Sequence, residues 1–205
     1  MFESLPDQDT TSGSARPEHT PGRRHLSERQ SEAVERLVVA ATEEVESVDY
    51  ADISVRSIAR RAGVAPATAY TYFSSKDHLL AEVLWRRMQA APSLVDLSLP
   101  LDQRVADAVR TMGFGAMDNP AVVAACTTAM LGEGPDVKEV RARIGAEIAR
   151  RLEGAMGPDA DPAVLGVLQI TYTGAILSAG MGHLRFETLP GMMAQAAVLM
   201  TGGGE

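Results

Sequence analysis

Within its 205 residues the chain has a single cysteine, Cys126. That excludes an internal disulfide framework and suits a reducing cytoplasm, the expected location. Aromatic residues make up only 4% of the sequence. Alternations of β-branched residues are few, and strong helix formers dominate, which argues for an all-α protein. The N-terminus has no apolar segment of the secretory type, so no export signal is expected. The four histidines (His19, His25, His78, His183) show no metal-ligand spacing. A nucleophile elbow and a phosphate-cradling glycine loop are both missing. Enzymatic activity, a metal and a cofactor are therefore not expected.

Basic charge is also short overall: 19 Lys and Arg stand against 27 Asp and Glu, a net charge of −8. Its distribution is uneven. Between Ile53 and Ala91 lie Arg56, Arg60, Arg61, Lys76, Arg86 and Arg87, opposed only by Asp77 and Glu82. A local basic patch on an acidic protein suits a small nucleic-acid-reading head whose remainder is kept off the duplex.

That patch surrounds the most structured stretch of the chain, SVRSIARRAGVAPATAYTYFSSKDHLLAEVL. Val55, Ile58, Ala59 and Ala62 recur at helical spacing and give a first short helix one small apolar side. Gly63 follows where a positive φ would reverse the chain, and Val64 can fill the angle. Pro66 suits the first position of a second helix. That helix would turn Ala69, Tyr72 and Phe73 inward and Ala67, Thr68, Tyr70 and Thr71 outward. Two helices joined by a tight glycine turn, the second one rich in hydroxyls, form a helix-turn-helix arrangement. Its Thr and Tyr hydroxyls can bond phosphates or base edges, and the Thr methyl can meet thymine.

The stretch resembles the signature of the TetR family of bacterial transcriptional regulators, I-A-x-x-A-G-V-S-x-x-T-[LIV]-Y-x-[YH]-F-x-[ST]-K-x-x-L-[LF]. Ile58, Ala59, Ala62, Gly63, Val64, Thr68, Tyr70, Tyr72, Phe73, Ser75, Lys76, Leu79 and Leu80 stand in the matching places. With Ser27 to Ala51 as a first helix, the likeness covers about a quarter of the chain. Departures from it include Ala65 where a capping Ser is usual, Ala69 for a larger aliphatic residue, Thr71 for a His or aromatic residue, and Pro66-Ala67 for Lys-Gly.

The resemblance implies three segments: a disordered tail at 1–25, a helix-turn-helix DNA-binding domain at 26–75, and a helical ligand-binding and dimerisation domain at 76–205. Ser54, Val55, Arg56, Pro66, Ala67, Thr68, Tyr70, Thr71, Tyr72 and Lys76 are the expected DNA-contacting residues. Lys76 is placed at the N-terminus of a fourth helix, where ammonium and amides could clamp a phosphate. Arg23-Arg24-His25 reads as the end of a solvated tail, with a basic minor-groove arm as the alternative.

From Leu101 onward, five helices are expected at 102–117, 120–131, 137–155, 162–184 and about 190–200. Asn119-Pro120, the Gly132–Pro135 run, Gly157-Pro158 and Leu189-Pro190 punctuate them. Arg141, Arg143, Arg150 and Arg151 read as a solvated face of the third. Ala163 to Leu184 is apolar nearly all round. Gln169, Thr171, Tyr172, Thr173 and Ser178 interrupt it, so a helix packed on its own body and on a second subunit is expected rather than a membrane span.

The family's inducer site implies a chamber lined by Met112, Phe114, Met117, Cys126, Thr127, Met130, Gln169, Tyr172 and Ile176, with Thr128 beside them. Such a lining is apolar with a few neutral hydrogen-bonding groups and adaptable methionines; the alternative is that these residues only fill a core. The expected function is a repressor that binds a palindromic double-stranded DNA operator as a homodimer and is released by a small hydrophobic effector. A ligand carrier that has lost DNA binding, and an activator, are the alternatives.

Overall fold

A computed structural model describes residues 28–93, 95–112 and 119–202. Among these the structure is all-α, with no strand. The expected tail at 1–25, the expected helix start at Ser27, and the readings of Phe114 and Met117 lie outside the described residues.

Helix α1 (Glu28–Ser47) buries Val34, Leu37, Val38, Ala41 and Val45, the stripe its spacing predicts. Helix α2 (Val55–Arg61) opens on a reciprocal cap: Ser54 Oγ accepts from the Ser57 amide, and Ser57 Oγ accepts from the Ser54 amide. Gly63 then takes φ +63°, a conformation that favours glycine. Helix α3 (Pro66–Tyr72) follows with no side-chain cap from Ala65. Helix α4 (Lys76–Ala90), capped by Ser75, packs on α1, α6 and α7 and so leads from the first three helices into the rest of the molecule.

The remainder comprises α5 (Leu101–Thr111), α6 (Pro120–Ala129), α7 (Pro135–Met156), α8 (Pro162–Gly180) and α9 (Leu189–Thr201). Helix α5 packs on α7 and α9, and α8 packs on α6, α7 and α9. Proline stands at the first turn of α6, α7 and α8, where its missing N–H costs nothing, and Asn119 and Asp161 cap the α6 and α8 amides. Four helices end earlier than the sequence predicts, α1 at Ser47 and α6 at Ala129 among them. Helix α5 ends at Thr111, where Met112 turns to extended backbone (ψ 143°). Helix α8 ends at Gly180, before Gly182 takes φ +78°.

The arginine face of α7 also differs from expectation. Arg151 has only 3% of its side chain exposed, and Arg143 lies over the Trp85 ring at 5.3 Å. Arg141 donates to the Met130 carbonyl at 2.7 Å. Only Arg150, with 56% of its side chain exposed, fits a solvated face.

Candidate functional site

Helices α2 and α3 share a small core of Ile58, Ala59, Val64, Ala69 and Phe73, all buried. At Ala69, with no exposed surface, the methyl fills the space under α3. The opposite side of α3 is open: Pro66, Ala67, Thr68, Tyr70 and Thr71 are exposed, Tyr70 by 52%. The Thr71 hydroxyl donates to the Thr68 carbonyl at 2.6 Å, so it faces outward as a methyl and an acceptor. Thr68 and Tyr70 hydroxyls have no partner among the described residues, which leaves each free to donate and accept. Tyr72 is half-buried and packs against the core.

Several expected DNA contacts are committed elsewhere. Val55 is 3% exposed and packs in the core, so it cannot reach a duplex: its place at the start of the Ile58–Ala59 stripe already pointed inward. Ser54 is half-buried, and its hydroxyl holds the α2 cap. Lys76 is turned inward. Its Nζ donates to the Tyr50 carbonyl at 2.5 Å and lies 4.3 Å above the Tyr50 ring. Tyr50 in turn donates to Asp77 Oδ1 at 2.6 Å.

The basic patch is thinned for the same reason. Arg61 pairs with Glu44, whose side chain is 7% exposed, and Arg86 bridges Glu35 and Glu82. Arg56 and Arg60 remain exposed on α2 beside the turn.

The expected chamber residues that are described are buried or half-buried. Met112, Cys126, Tyr172 and Ile176 belong to one continuous apolar cluster, and Thr127 is buried with its hydroxyl donating to the Val123 carbonyl at 2.8 Å. Met130 and Gln169 are half-buried, and Gln169 Nε2 donates to the Gly145 carbonyl. Burial pushes the Cys126 thiol up to about 12 against the opposing charge of Arg87, so it stays protonated and acts as a packing group. Burial likewise raises Tyr172, whose hydroxyl is enclosed without a hydrogen-bond partner.

Open concavity lies elsewhere. A cleft of about 480 Å³ is lined by Pro120, Ala124, Ala179, Gly180, Leu184 and Phe186, between the start of α6 and the end of α8. Sequence reasoning missed this cleft, and it missed Arg151. The signal for Arg151 was present in register: Ile144, Ile148, Arg151 and Ala155 follow one another at helical spacing, so the arginine falls on the buried stripe of α7.

Residues 37–83 match the family profile described as bacterial regulatory proteins, tetR family. Over 177 residues the chain is 40% identical to an uncharacterized HTH-type transcriptional regulator of Mycobacterium tuberculosis (strain ATCC 25618 / H37Rv), covering 85% of this chain and 83% of that protein. Its fold resembles a TetR transcriptional regulator from Rhodococcus sp. RHA1, with a TM-score of 0.69 and 22% identity over 87% of this chain and 100% of that one. It also resembles the transcriptional regulator FadR from Bacillus subtilis in complex with stearoyl-CoA, with a TM-score of 0.58 and 15% identity over 83% and 99% of the two chains.

Proposed function

The chain belongs to the TetR family of DNA-binding transcriptional regulators, and from that premise we propose that it is a repressor that holds a palindromic operator as a homodimer and is released by a small, mainly hydrophobic effector. Residues 26–75 serve as the DNA-binding domain and 76–205 as the effector-binding and dimerisation domain. One observation carries the dimer. Helices α8 and α9, with Met181 at the end of α8, leave Val167, Ile170, Met181, Met192 and Leu199 between 42% and 75% exposed, although both helices are apolar. Covering what remains open of each such side chain is worth about 1–2 kcal/mol, and a second copy of the same pair of helices offers a matching surface.

In this reading α3 enters the major groove and reads it with Thr68, Tyr70 and Thr71, while Arg56 reaches phosphate. Two α3 helices must then lie one helical turn apart, about 34–36 Å. The effector binds a conformation in which the two α4 helices diverge and that spacing is lost. A tenfold preference of the effector for that conformation corresponds to about 1.4 kcal/mol of coupling, and DNA weakens the effector by the same factor. The apolar surroundings of Met112, Cys126 and Ile176 favour a neutral or weakly polar ligand.

Gel retardation of the duplex upstream of the chain's own gene tests this. A retarded complex is expected, with log affinity falling against log salt by about 0.9 per phosphate contact. Failure to retard any promoter fragment at low salt would leave the second reading, a ligand carrier on the same fold. That reading is favoured only by the uncapped start of α3 at Ala65.

A further inference from the structure

Arg151 is a buried cation whose every donor is used, and all but one of them go to backbone outside its own helix. Nη2 donates to the carbonyls of Met88 at 2.6 Å and Ala91 at 3.1 Å. Nη1 donates to the carbonyls of Thr111 at 2.9 Å and Pro92 at 3.3 Å. Nε donates to Glu147 Oε1 at 2.8 Å. A guanidinium has five N–H donors in a fixed fork, so the set is complete.

The acceptors are not scattered. Met88 and Ala91 are the last turn and the C-cap of α4, Pro92 follows directly, and Thr111 is the last residue of α5. The final carbonyls of a helix have no partner within it and carry the negative end of its dipole, so a cation there satisfies and neutralises them together. No residue of α4 or α5 makes these contacts; a residue of α7 does. Glu147 offsets the buried charge, and its other partner, Arg150, helps hold its carboxyl down at about 2.

We propose that Arg151 is a positioning residue that clamps the end of α4 to the end of α5 through one guanidinium, fixing the lean of α4 and with it the placement of α3. The consequence for operator spacing rests on the DNA-binding reading above; the clamp itself does not. A displacement at the end of α5 strains the bonds from the same fork to α4, because a planar guanidinium cannot follow two backbone segments that move apart. A space-filling role alone would require none of these carbonyls to lie at two different helix ends.

The test is Arg151→Lys, which keeps the charge and most of the stem but offers one compact ammonium in place of the fork. Spin labels are placed at Thr71→Cys on α3 and Asp159→Cys after α7, in a Cys126→Ala background and diluted with unlabelled chain. The wild type is expected to give one narrow intrachain distance, and Arg151→Lys a broadened or shifted one with helical content retained. On palindromic duplexes whose half-site spacing differs by two base pairs, wild-type affinity should differ by about tenfold and that of Arg151→Lys by less than about threefold.

An unchanged, narrow distance in folded Arg151→Lys overturns the clamp. Should Arg151→Lys not fold, Arg151→Gln is read by the same distance. Wild-type protein that ignores every duplex, together with a broadened or shifted distance in Arg151→Lys, overturns the DNA reading and leaves the clamp standing.

Discussion

Helix α3 leaves Thr68, Tyr70 and Thr71 in solvent above a buried Ala69 and Phe73, whereas α8 leaves Val167 and Ile170 in solvent above a buried Leu168 and Tyr172. Both are helices with one open side, and their open sides are chemically opposite. On α3 the hydroxyls of Thr68 and Tyr70 remain free to bond a hydrated, charged surface. On α8 the hydroxyls of Thr171 and Thr173 donate back to the Val167 and Gln169 carbonyls at 2.8 and 2.9 Å, so neither has a proton left to donate outward. Helix α8 is long and apolar enough to cross a membrane by length and composition, with 28% of that stretch buried. On α9, which packs against α8, Met192 and Leu199 are exposed as well. An exposed polar face can meet a duplex while remaining stable in water; an exposed apolar face of this size calls for another protein surface.

The largest test of this contrast is Ile170→Asp, at the most exposed large apolar side chain among the described residues (75%). Two carboxylates brought together across a two-fold axis should halve the mass seen by light scattering and lower operator affinity by more than about 100-fold. A mass unchanged by the substitution would move the subunit contact off α8.

Next come Tyr70→Ala and Thr68→Ala on α3, each expected to cost about 1–3 kcal/mol in specific binding and little in non-specific binding. Anisotropy titrations against operator and scrambled duplex measure the difference. Equal affinity of the wild type and both variants would show that the exposed side of α3 does not read the duplex.

A smaller effect sharpens the contrast from the stability side. Ala65→Ser restores a hydroxyl at the start of α3, where the backbone is already extended (φ −60°, ψ 134°). About 1 kcal/mol of added stability and a rise of about 2–4 °C in the melting midpoint are expected by calorimetry. An unchanged midpoint would mean that another group already satisfies the α3 amides.

The smallest effect involves the joint between the two regions. His78 is half-buried against Phe73, with Ser74 donating to Asp136 at 2.5 Å and His78 Nδ1 lying 3.9 Å from that carboxylate. Burial lowers the His78 pKa more than Asp136, Glu82 and Glu139 raise it, and Arg143 lowers it further. The unfolded chain therefore takes up the proton first. Stability from this group is fully present above the ordinary value of about 6.5 and declines as pH falls below it. Melting midpoints of the wild type and His78→Gln should converge between about pH 7 and 5; parallel curves would remove His78 as the cause.

The α2–α3 unit was readable because its signals are local. Helical spacing from Val55, the reversal at Gly63 and the start at Pro66 all act within a few residues. Contacts between distant segments were not readable. Lys76 follows a cap and suits a helix N-terminus on sequence grounds, yet the backbone of Tyr50 sits within reach and takes its ammonium. Arg151 sits in a run of charged residues, and only the convergence of the α4 and α5 ends on α7 makes its burial favourable. The burial of Met112, Cys126, Tyr172 and Ile176 was legible, but whether apolar side chains enclose space depends on how closely their helices pack.

Sequence alone determined the helices, the order of the elements, the glycine turn and the hydroxyl-bearing face of α3, all of which follow from neighbours a few positions apart. Only the tertiary structure decided which charges reach solvent, which apolar faces stay open, and that one arginine of α7 closes the ends of α4 and α5. That closure depends on backbone groups 40 or more residues away, whose approach no local spacing encodes.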